Sequence, residues 1–301
     1  MGTLGAKWRR RRVKGCTVRA NREDSDLKAC ISGLVTHCVL TGSALHALAH
    51  LPQHSIQTVV TSPPYWGVRD YGIRGQIGME RSLTNYISNI VKVFDEVRRV
   101  LRRDGTVWLN MGDVYASGNR TYRAADDKCE ARALDFRPRT PKGLKPKDLI
   151  GIPWRVAFAL QAAGWYLRAD VIWHKTNAMP ESVDDRPWRT HEYIFLLSRQ
   201  KSYQFNPKEL VVDKLTLRRT VWSMGTGRSK FSGHHAVFPE RLVVPCIKSA
   251  SSRGSIVLDP FCGTGTVGRA SLKLERRFIG IELNPEFAKA AASLLTTKRK
   301  D

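Results

Sequence analysis

Apolar positions in this chain recur with two periods, and the alternation between them outlines an α/β domain. Tyr86, Ile90, Val93, Phe94, Val97 and Leu101 fall three or four residues apart, which puts them on one face of an amphipathic helix. Asp104-Gly105 then turns the chain into a β-rich run, Thr106 to Met111, and helix followed by strand at this length is the rhythm of a βαβ unit. Upstream, Ala44 to His50 reads as a short helix and Ser55 to Val60 as a strand. Downstream, Pro153 to Ala163 reads as a helix with proline at its start, and Ala169 to His174 and Glu192 to Leu197 as strands. Pro239 to Ala250 reads as a helix, Ser255 to Leu258 as a buried strand, a helix follows through Leu274, and Arg277 to Ile281 is another short strand. The pattern predicts one domain over residues 37–301, without internal repeats or low-complexity tracts.

Three segments break the rhythm. Residues 1–36 hold Arg9, Arg10, Arg11 and Arg12 with little periodic apolar content, and read as a mobile basic arm: either a solubilising tail or a nucleic-acid or nuclear-targeting arm. Residues 113–150, rich in basic side chains around Pro138-Arg139-Thr140-Pro141-Lys142-Gly143, read as a long inserted loop. Residues 199–233 are polar, basic and turn-rich, with Tyr203, Phe205, Trp222 and Phe231 interleaved. They form a second variable region and a candidate for reading bases. Both inserts are candidate target-recognition regions.

Charge narrows the partner. Fifty Lys and Arg against 27 Asp and Glu give a formal net charge of +23. Such self-repulsion adds nothing to a compact fold, so a polyanion is the expected partner. Nucleic acid is favoured over a membrane surface, because no long amphipathic basic helix stands out. A hydrophobic fraction of 42% and a charged fraction of 26% exclude wholesale disorder. No apolar run approaches the roughly 18–20 residues that span a bilayer, and Met1 to Arg22 lacks the apolar core of a secretory signal. The six cysteines form no C-x-x-C pair, which argues against a zinc knuckle or disulfide framework and suits a reducing compartment. His234-His235 lack a spaced third ligand, so no metal is expected.

Two motifs carry chemistry. In Asp259-Pro260-Phe261-Cys262-Gly263-Thr264-Gly265-Thr266, a strand passes through a glycine turn into a helix, and Glu282 ends the next strand nineteen positions after Gly263. Glycines allow a ligand to press on the backbone, and a carboxylate at that spacing is placed to accept ribose hydroxyls. With Gly268, the G-x-G-x-x-G pattern is only partly met, and the turn has no basic residue for a pyrophosphate. An adenosine ligand poor in phosphate is therefore favoured over a dinucleotide. In Thr61-Ser62-Pro63-Pro64-Tyr65-Trp66, two prolines end a strand and set an acceptor hydroxyl, a backbone carbonyl and an aromatic plane at its tip. That combination suits a planar ring bearing an exocyclic amine. The alternative, a polyproline ligand for another domain, needs an extended exposed segment, whereas this one is fused to an apolar strand.

With these two motifs in this order, the chain resembles the amino-methyltransferases that act on DNA with S-adenosylmethionine. The tip before the cofactor turn is the permuted order of the β class. Further matching pieces are Gly67-Val68-Arg69-Asp70-Tyr71-Gly72, Gly164-Trp165-Tyr166-Leu167-Arg168-Ala169-Asp170-Val171-Ile172-Trp173, His191-Glu192-Tyr193-Ile194-Phe195 and His235-Ala236-Val237-Phe238-Pro239, so that the likeness covers about residues 38–112 and 150–290. The resemblance implies a Rossmann-like class I methyltransferase fold, with a mixed, mostly parallel seven-stranded sheet and helices on both faces. It implies catalytic roles for Ser62, Pro63, Pro64 and Tyr65, and stacking of the target base on Tyr65 or Trp66. Cofactor contacts are implied for Thr61, Phe238, Asp259, Phe261, Gly263, Thr264, Gly265, Thr266 and Glu282. Arg9, Arg10, Arg11, Arg12, Arg69, Arg120, Arg137, Arg139, Lys142, Arg218, Arg219, Arg228 and Lys230 are expected to meet phosphates.

One departure is Gly42-Ser43 where relatives often show Gly-Asp, which removes or replaces an expected contact to the cofactor's adenine. Serine at the tip is typical of relatives that form N4-methylcytosine, and aspartate of those that act on adenine N6. The expectation is therefore methylation of cytosine N4 in double-stranded DNA, with adenine N6 as the alternative. A DNA-binding protein whose methyltransferase core no longer turns over is the alternative from another class. An RNA or protein-glutamine methyltransferase is disfavoured, since those usually carry an Asn tip after the cofactor turn. A bacterial or phage enzyme would be cytoplasmic and nucleoid-associated, with a cognate restriction endonuclease as partner if bacterial; a eukaryotic one would be nuclear.

Overall fold

The computed structural model describes residues 16–19, 23–118, 122–123, 134, 137–212, 215–227 and 239–296. In chain order the elements begin with β1 (Cys16–Arg19), α1 (Glu23–Ser32), β2 (His37–Thr41), α2 (Ala44–Ala49), β3 (Ile56–Thr61), α3 (Leu83–Val100) and β4 (Leu101–Met111). They continue with α4 (Ile152–Ala162), β5 (Tyr166–His174), β6 (His191–Ser198), β7 (Val211–Val212), β8 (Leu215–Thr216) and β9 (Val221–Ser223). The last are α5 (Glu240–Ala250), β10 (Ile256–Asp259), α6 (Thr266–Lys273), β11 (Arg277–Glu282) and α7 (Pro285–Thr296).

Among the described residues, nine strands form one mixed sheet in the order β1-β2-β11-β10-β3-β4-β6-β5-β9. Pairing is parallel from β1 through β4, and β6 runs antiparallel to both β4 and β5. The expected seven strands are the seven in the middle. The two additions are short edge strands: β1 alongside β2, and β9 alongside β5. Buried side chains gather in two clusters, one built with α1 to α4 and the other with α5 to α7, so helices cover the sheet on both faces.

Local signals explain the main elements. The α3 stripe buries Tyr86, Ile90, Val93, Phe94 and Val97, and Ser82 caps the helix by accepting from the Asn85 N–H at 3.2 Å. The helix α4 starts after Gly151 in the left-handed region (φ 76°), and Asp113 accepts from the N–H groups of Gly151 and Ile152 at its first turn. Asp104-Gly105, expected as a turn before the strand, lies inside β4 as an irregularity: Ile56 pairs with Leu101, and Thr58 pairs next with Thr106.

The segments expected to be loops are partly built in. Within the expected basic arm, β1 joins the sheet and α1 packs Leu27 and Cys30 into the core. Residues 113–150 return to the domain through an isolated bridge between Tyr115 and Leu149 and through buried Ile150. In the 199–233 region, Trp222 is 1% exposed, donates its indole N–H to the Leu217 and Arg219 carbonyls, and lies 5.9 Å from the Trp108 ring. Phe205 also meets Trp108. Trp222 is core, which removes it from the expected base-reading set, while Phe205 is half-buried against the same cluster.

Candidate active site

The strands β3, β4, β10 and β11 run parallel, so their carboxyl ends share one edge of the sheet. The residues that follow them line a cleft of about 1250 Å3. The tip and the glycine turn, 198 residues apart at Thr61 and Asp259, are tied together there: the Thr61 hydroxyl donates to Asp259 Oδ1 at 2.7 Å.

At the cofactor end, Asp259 Oδ1 also accepts from the Phe261 N–H at 3.1 Å, and Glu282 accepts from the Gly263 and Asn284 N–H groups, each at 2.8 Å. Gly263 and Gly265 take left-handed angles (φ 51° and 82°), which glycine adopts without strain. A Cβ on Gly265 would also lie 3.2 Å from that of Ala291. Burial pushes the Asp259 carboxyl up to about 7, with the Glu282 charge adding to the rise and the Thr61 and Phe261 bonds opposing it. Burial likewise raises Glu282, against its backbone N–H bonds. A buried carboxyl, Asp259, and a half-buried one, Glu282, in a strongly basic chain make this end of the cleft complementary to a cation. Burial and the same two carboxylates raise the Cys262 thiol far above its usual value, so it is held as an inert thiol. Gly42 and Ser43 line this end too, and the Gly42 N–H donates to the Glu282 carbonyl at 2.9 Å.

At the other end, the tip is fixed from behind. The Tyr86 hydroxyl donates to the Pro64 carbonyl at 3.0 Å, and the Trp66 indole donates to the Glu80 carbonyl at 2.8 Å. Trp66 is 2% exposed, which corrects the expectation that it stacks on a base; it is a strut beneath the loop. Ser62, Pro63 and Tyr65 face the cleft. The Tyr65 hydroxyl lies 3.3 Å from Ser62 Oγ and donates to Glu192 Oε2 at 2.8 Å. Asn110 Nδ2 lies 2.8 Å from Glu192 Oε2, 3.1 Å from the Tyr65 hydroxyl and 3.4 Å from Ser62 Oγ. Lys175 Nζ donates to Glu192 Oε1 at 2.5 Å. Burial alone would raise the Glu192 carboxyl, but the Lys175 charge and the three donors outweigh it and hold the group below its ordinary value. Burial and the Glu192 charge raise the Tyr65 phenol well above its usual value, so it keeps its proton.

Sequence reasoning assigned no role to Asn110, Gly112, Lys175 or Glu192. The signals were present: an amide at the end of an otherwise apolar strand, and an acid inside the matching piece His191 to Phe195. Of the expected phosphate contacts, Arg69 lines the cleft with a buried Nε that has no partner, while Arg139, Lys142, Arg218 and Arg219 are exposed and Arg137 is half-buried. Arg9 to Arg12, Arg120, Arg228, Lys230, Phe238 and the His234-His235 pair lie outside the described residues. Among the described residues, no helix is long and apolar enough to cross a membrane.

A parallel sheet reversed by one antiparallel strand, with the Ser62–Tyr65 tip and the glycine turn joined at its carboxyl edge, is the architecture of an α/β methyltransferase. The family model described as DNA methylase matches residues 56–293, and the chain belongs to that family of N4/N6 amino-methyltransferases. It is a DNA methyltransferase that uses S-adenosylmethionine. The type II methyltransferase M.Cfr9I of Citrobacter freundii is 52% identical over 259 residues, covering 84% of this chain and 86% of the relative. The type II methyltransferase M.SmaI of Serratia marcescens is 49% identical over 279 residues, covering 90% and 94%. In fold, the chain matches the cytosine-N4-specific PvuII DNA methyltransferase with a TM-score of 0.67 at 18% identity, over 88% of each chain. A putative DNA modification methylase of Thermus thermophilus, solved in complex with S-adenosyl-L-methionine, matches with a TM-score of 0.60 at 24% identity, over 86% of this chain and 93% of that one.

Proposed function

We propose that this protein methylates the exocyclic N4 amine of cytosine in double-stranded DNA, as the modification half of a restriction–modification system with a cognate endonuclease. The observation that carries the reading is the tip itself: a neutral Ser62 hydroxyl, not a carboxylate, faces the cleft beside the Pro63 backbone and the Tyr65 ring. The lone pair of an aromatic amine is delocalised into its ring. Acceptors at Ser62 Oγ and the Pro63 carbonyl draw the amine hydrogens out of plane and free that lone pair for attack. The cofactor supplies an electrophilic methyl group on a sulfonium, so the residues need to position more than to react. The base leaves the duplex to reach the cleft and stacks on Tyr65, while exposed Arg139, Lys142, Arg218 and Arg219 hold phosphates. The names of the two sequence relatives, both type II methyltransferases, and the base named for the PvuII enzyme support this reading.

The test is nucleoside mass spectrometry of unmethylated DNA incubated with the purified chain and S-adenosylmethionine, with Ser62→Ala as control. N4-methylcytosine, lost in the control, is expected. N6-methyladenine would overturn the base assignment, and the absence of any methylated base would overturn the reading as a whole.

In this reading Phe261, Gly263, Gly265, Thr264 and Thr266 cradle the cofactor, Glu282 takes its ribose hydroxyls, and Asp259 faces its cationic part, with Thr61 holding the Asp259 carboxyl in place. An Asp259 that titrates at about 7 in the free protein and is ionised in the complex links binding to pH. Affinity is constant above that value and falls about tenfold per pH unit below it. Calorimetric titration with S-adenosylmethionine at several pH values checks this. Asp259→Asn should flatten the profile, and an unchanged slope in that variant would assign the titration elsewhere.

A further inference from the structure

Glu192 lines the cleft beside the tip and reaches Ser62 through the Tyr65 hydroxyl, which donates to it. We propose that Ser62, Tyr65 and Glu192 form a directed proton relay. In it Glu192 is a positioning residue that turns the Ser62 hydroxyl proton away from the cleft and then receives the proton released by the methylated amine. The proposal rests on the reading of the site as an amine methyltransferase.

The direction follows from counting donors. Glu192 is ionised beside Lys175 and can only accept. The Tyr65 hydroxyl has one proton, given to Glu192 Oε2, so its oxygen can only accept from its other neighbours. One of these is Ser62 Oγ, 3.3 Å away, so the Ser62 proton points to Tyr65 and a Ser62 lone pair is left for the target amine. Asn110 Nδ2 donates into the same cluster and reinforces this order; reversing its amide would set an oxygen against the Glu192 carboxylate. A chain ending on a carboxylate polarises each hydroxyl in it. Serine, a weaker acceptor than aspartate, thereby gains basicity from a charge it does not carry.

The exit step balances. After methyl transfer the amine nitrogen is a cation bearing two hydrogens and the new methyl. One N–H bond breaks as its proton passes to Ser62 Oγ, the Ser62 proton moves to the Tyr65 oxygen, and the Tyr65 proton moves to Glu192 Oε2. The base ends neutral and Glu192 ends as a carboxylic acid, which returns its proton to water when the products leave.

The test uses the full chain, S-adenosylmethionine and a DNA duplex carrying a fluorescent base analogue at the target, in Glu192→Gln, Tyr65→Phe and the double variant. Each single change should slow single-turnover methylation about 10²-fold, the low end for proton-transfer groups, because the departing proton is strongly acidic. DNA affinity and the flipping fluorescence should stay within about threefold of the parent, since neither change removes the ring. The double variant should be no more than about threefold slower than the worse single, because both cut one chain. A Glu192→Gln rate within about threefold of the parent, a double variant at the product of the singles, or loss of the flipping signal would each overturn the relay. Parent protein that methylates no base would instead sink the functional reading, and the relay with it; activity on adenine would sink only the base assignment.

Discussion

Replacing Gly112 by alanine should lower the methylation rate by about 10² to 10³ while leaving cofactor affinity unchanged. A Cβ at Gly112 would lie 2.6 Å from Tyr65 Cε2 and 3.2 Å from Cδ2, with Glu192 Oε1 at 3.4 Å. Tyr65 cannot yield easily. Its hydroxyl is held by Glu192 and Asn110, and the backbone at Pro64 is pinned by Tyr86. Relief therefore means moving the ring that stacks the base, the hydroxyl that orders Ser62, or both. A misplacement near 1 Å at a reacting site costs about 10²-fold, and here two functions move together. The added methyl should also cost about 1–3 kcal/mol of stability through overpacking. The glycine turn hangs from β10 and β11 at the far end of the cleft, which is why cofactor binding should persist. Single-turnover rates, calorimetric cofactor affinity and thermal melting of the variant check this. A variant keeping more than about a tenth of the parent rate would mean that Tyr65 has room the geometry denies it.

Gly112 also sits in a part of the site for which the sequence carries no local signal. The α3 helix, the tip and the glycine turn were legible because each is a local pattern: a 3.6-residue stripe, two prolines after an apolar run, and glycines between strand and helix. The network behind Ser62 has no local pattern. It depends on the antiparallel register of β4 on β6, which pairs Asn110 with Ile194 and Met111 with Tyr193, and so carries Glu192 to the level of Gly112. Nothing in either segment predicts that register. Trp66 and Trp222 misled for a related reason. An aromatic residue beside prolines, or among basic residues, looks available for stacking, but each indole satisfies its N–H on backbone carbonyls and fills space beneath a loop. The edge strand β1 and helix α1 escaped notice because their sequences lack a clean apolar period. They are ordered by pairing with β2 and by burying Leu27 and Cys30 against the sheet. The third glycine of the motif, Gly268, has the spacing of a ligand-binding glycine, whereas it lies inside α6 against the apolar side chains of Phe278 and Leu295.

The phenylalanine packed against Gly268 carries the largest expected effect on stability. Phe278 of β11 is fully buried, and its ring fills the space between β11 and α6. A Cβ on Gly268 would lie 2.7 Å from both Phe278 Cδ1 and Cε1, and one on Gly280 would lie 2.8 Å from Cε1. Glycine at these two positions is thus the complement of the phenylalanine, and lets α6 sit close enough to carry the turn at its N-terminus. Phe278→Ala should cost about 3–5 kcal/mol, the range for emptying a core phenylalanine site. In a chain of this size that is a fall of about 10 °C in melting temperature. Cofactor affinity should drop with it, because α6 begins at the turn. Gly268→Ala alone should also destabilise, since the clash with a rigid ring exceeds the gain of about 1 kcal/mol from helix propensity. In the Phe278→Ala background the sign should reverse. The ring is gone, the next nearest atom is the flexible Leu295 Cδ2 at 2.8 Å, and the propensity gain survives. Thermal melts of the two singles and the double close this cycle. If Gly268→Ala destabilised both backgrounds equally, the glycine would be serving the backbone or the ligand instead of the ring, and the two motifs would have to be held together by some contact other than the Phe278 wedge.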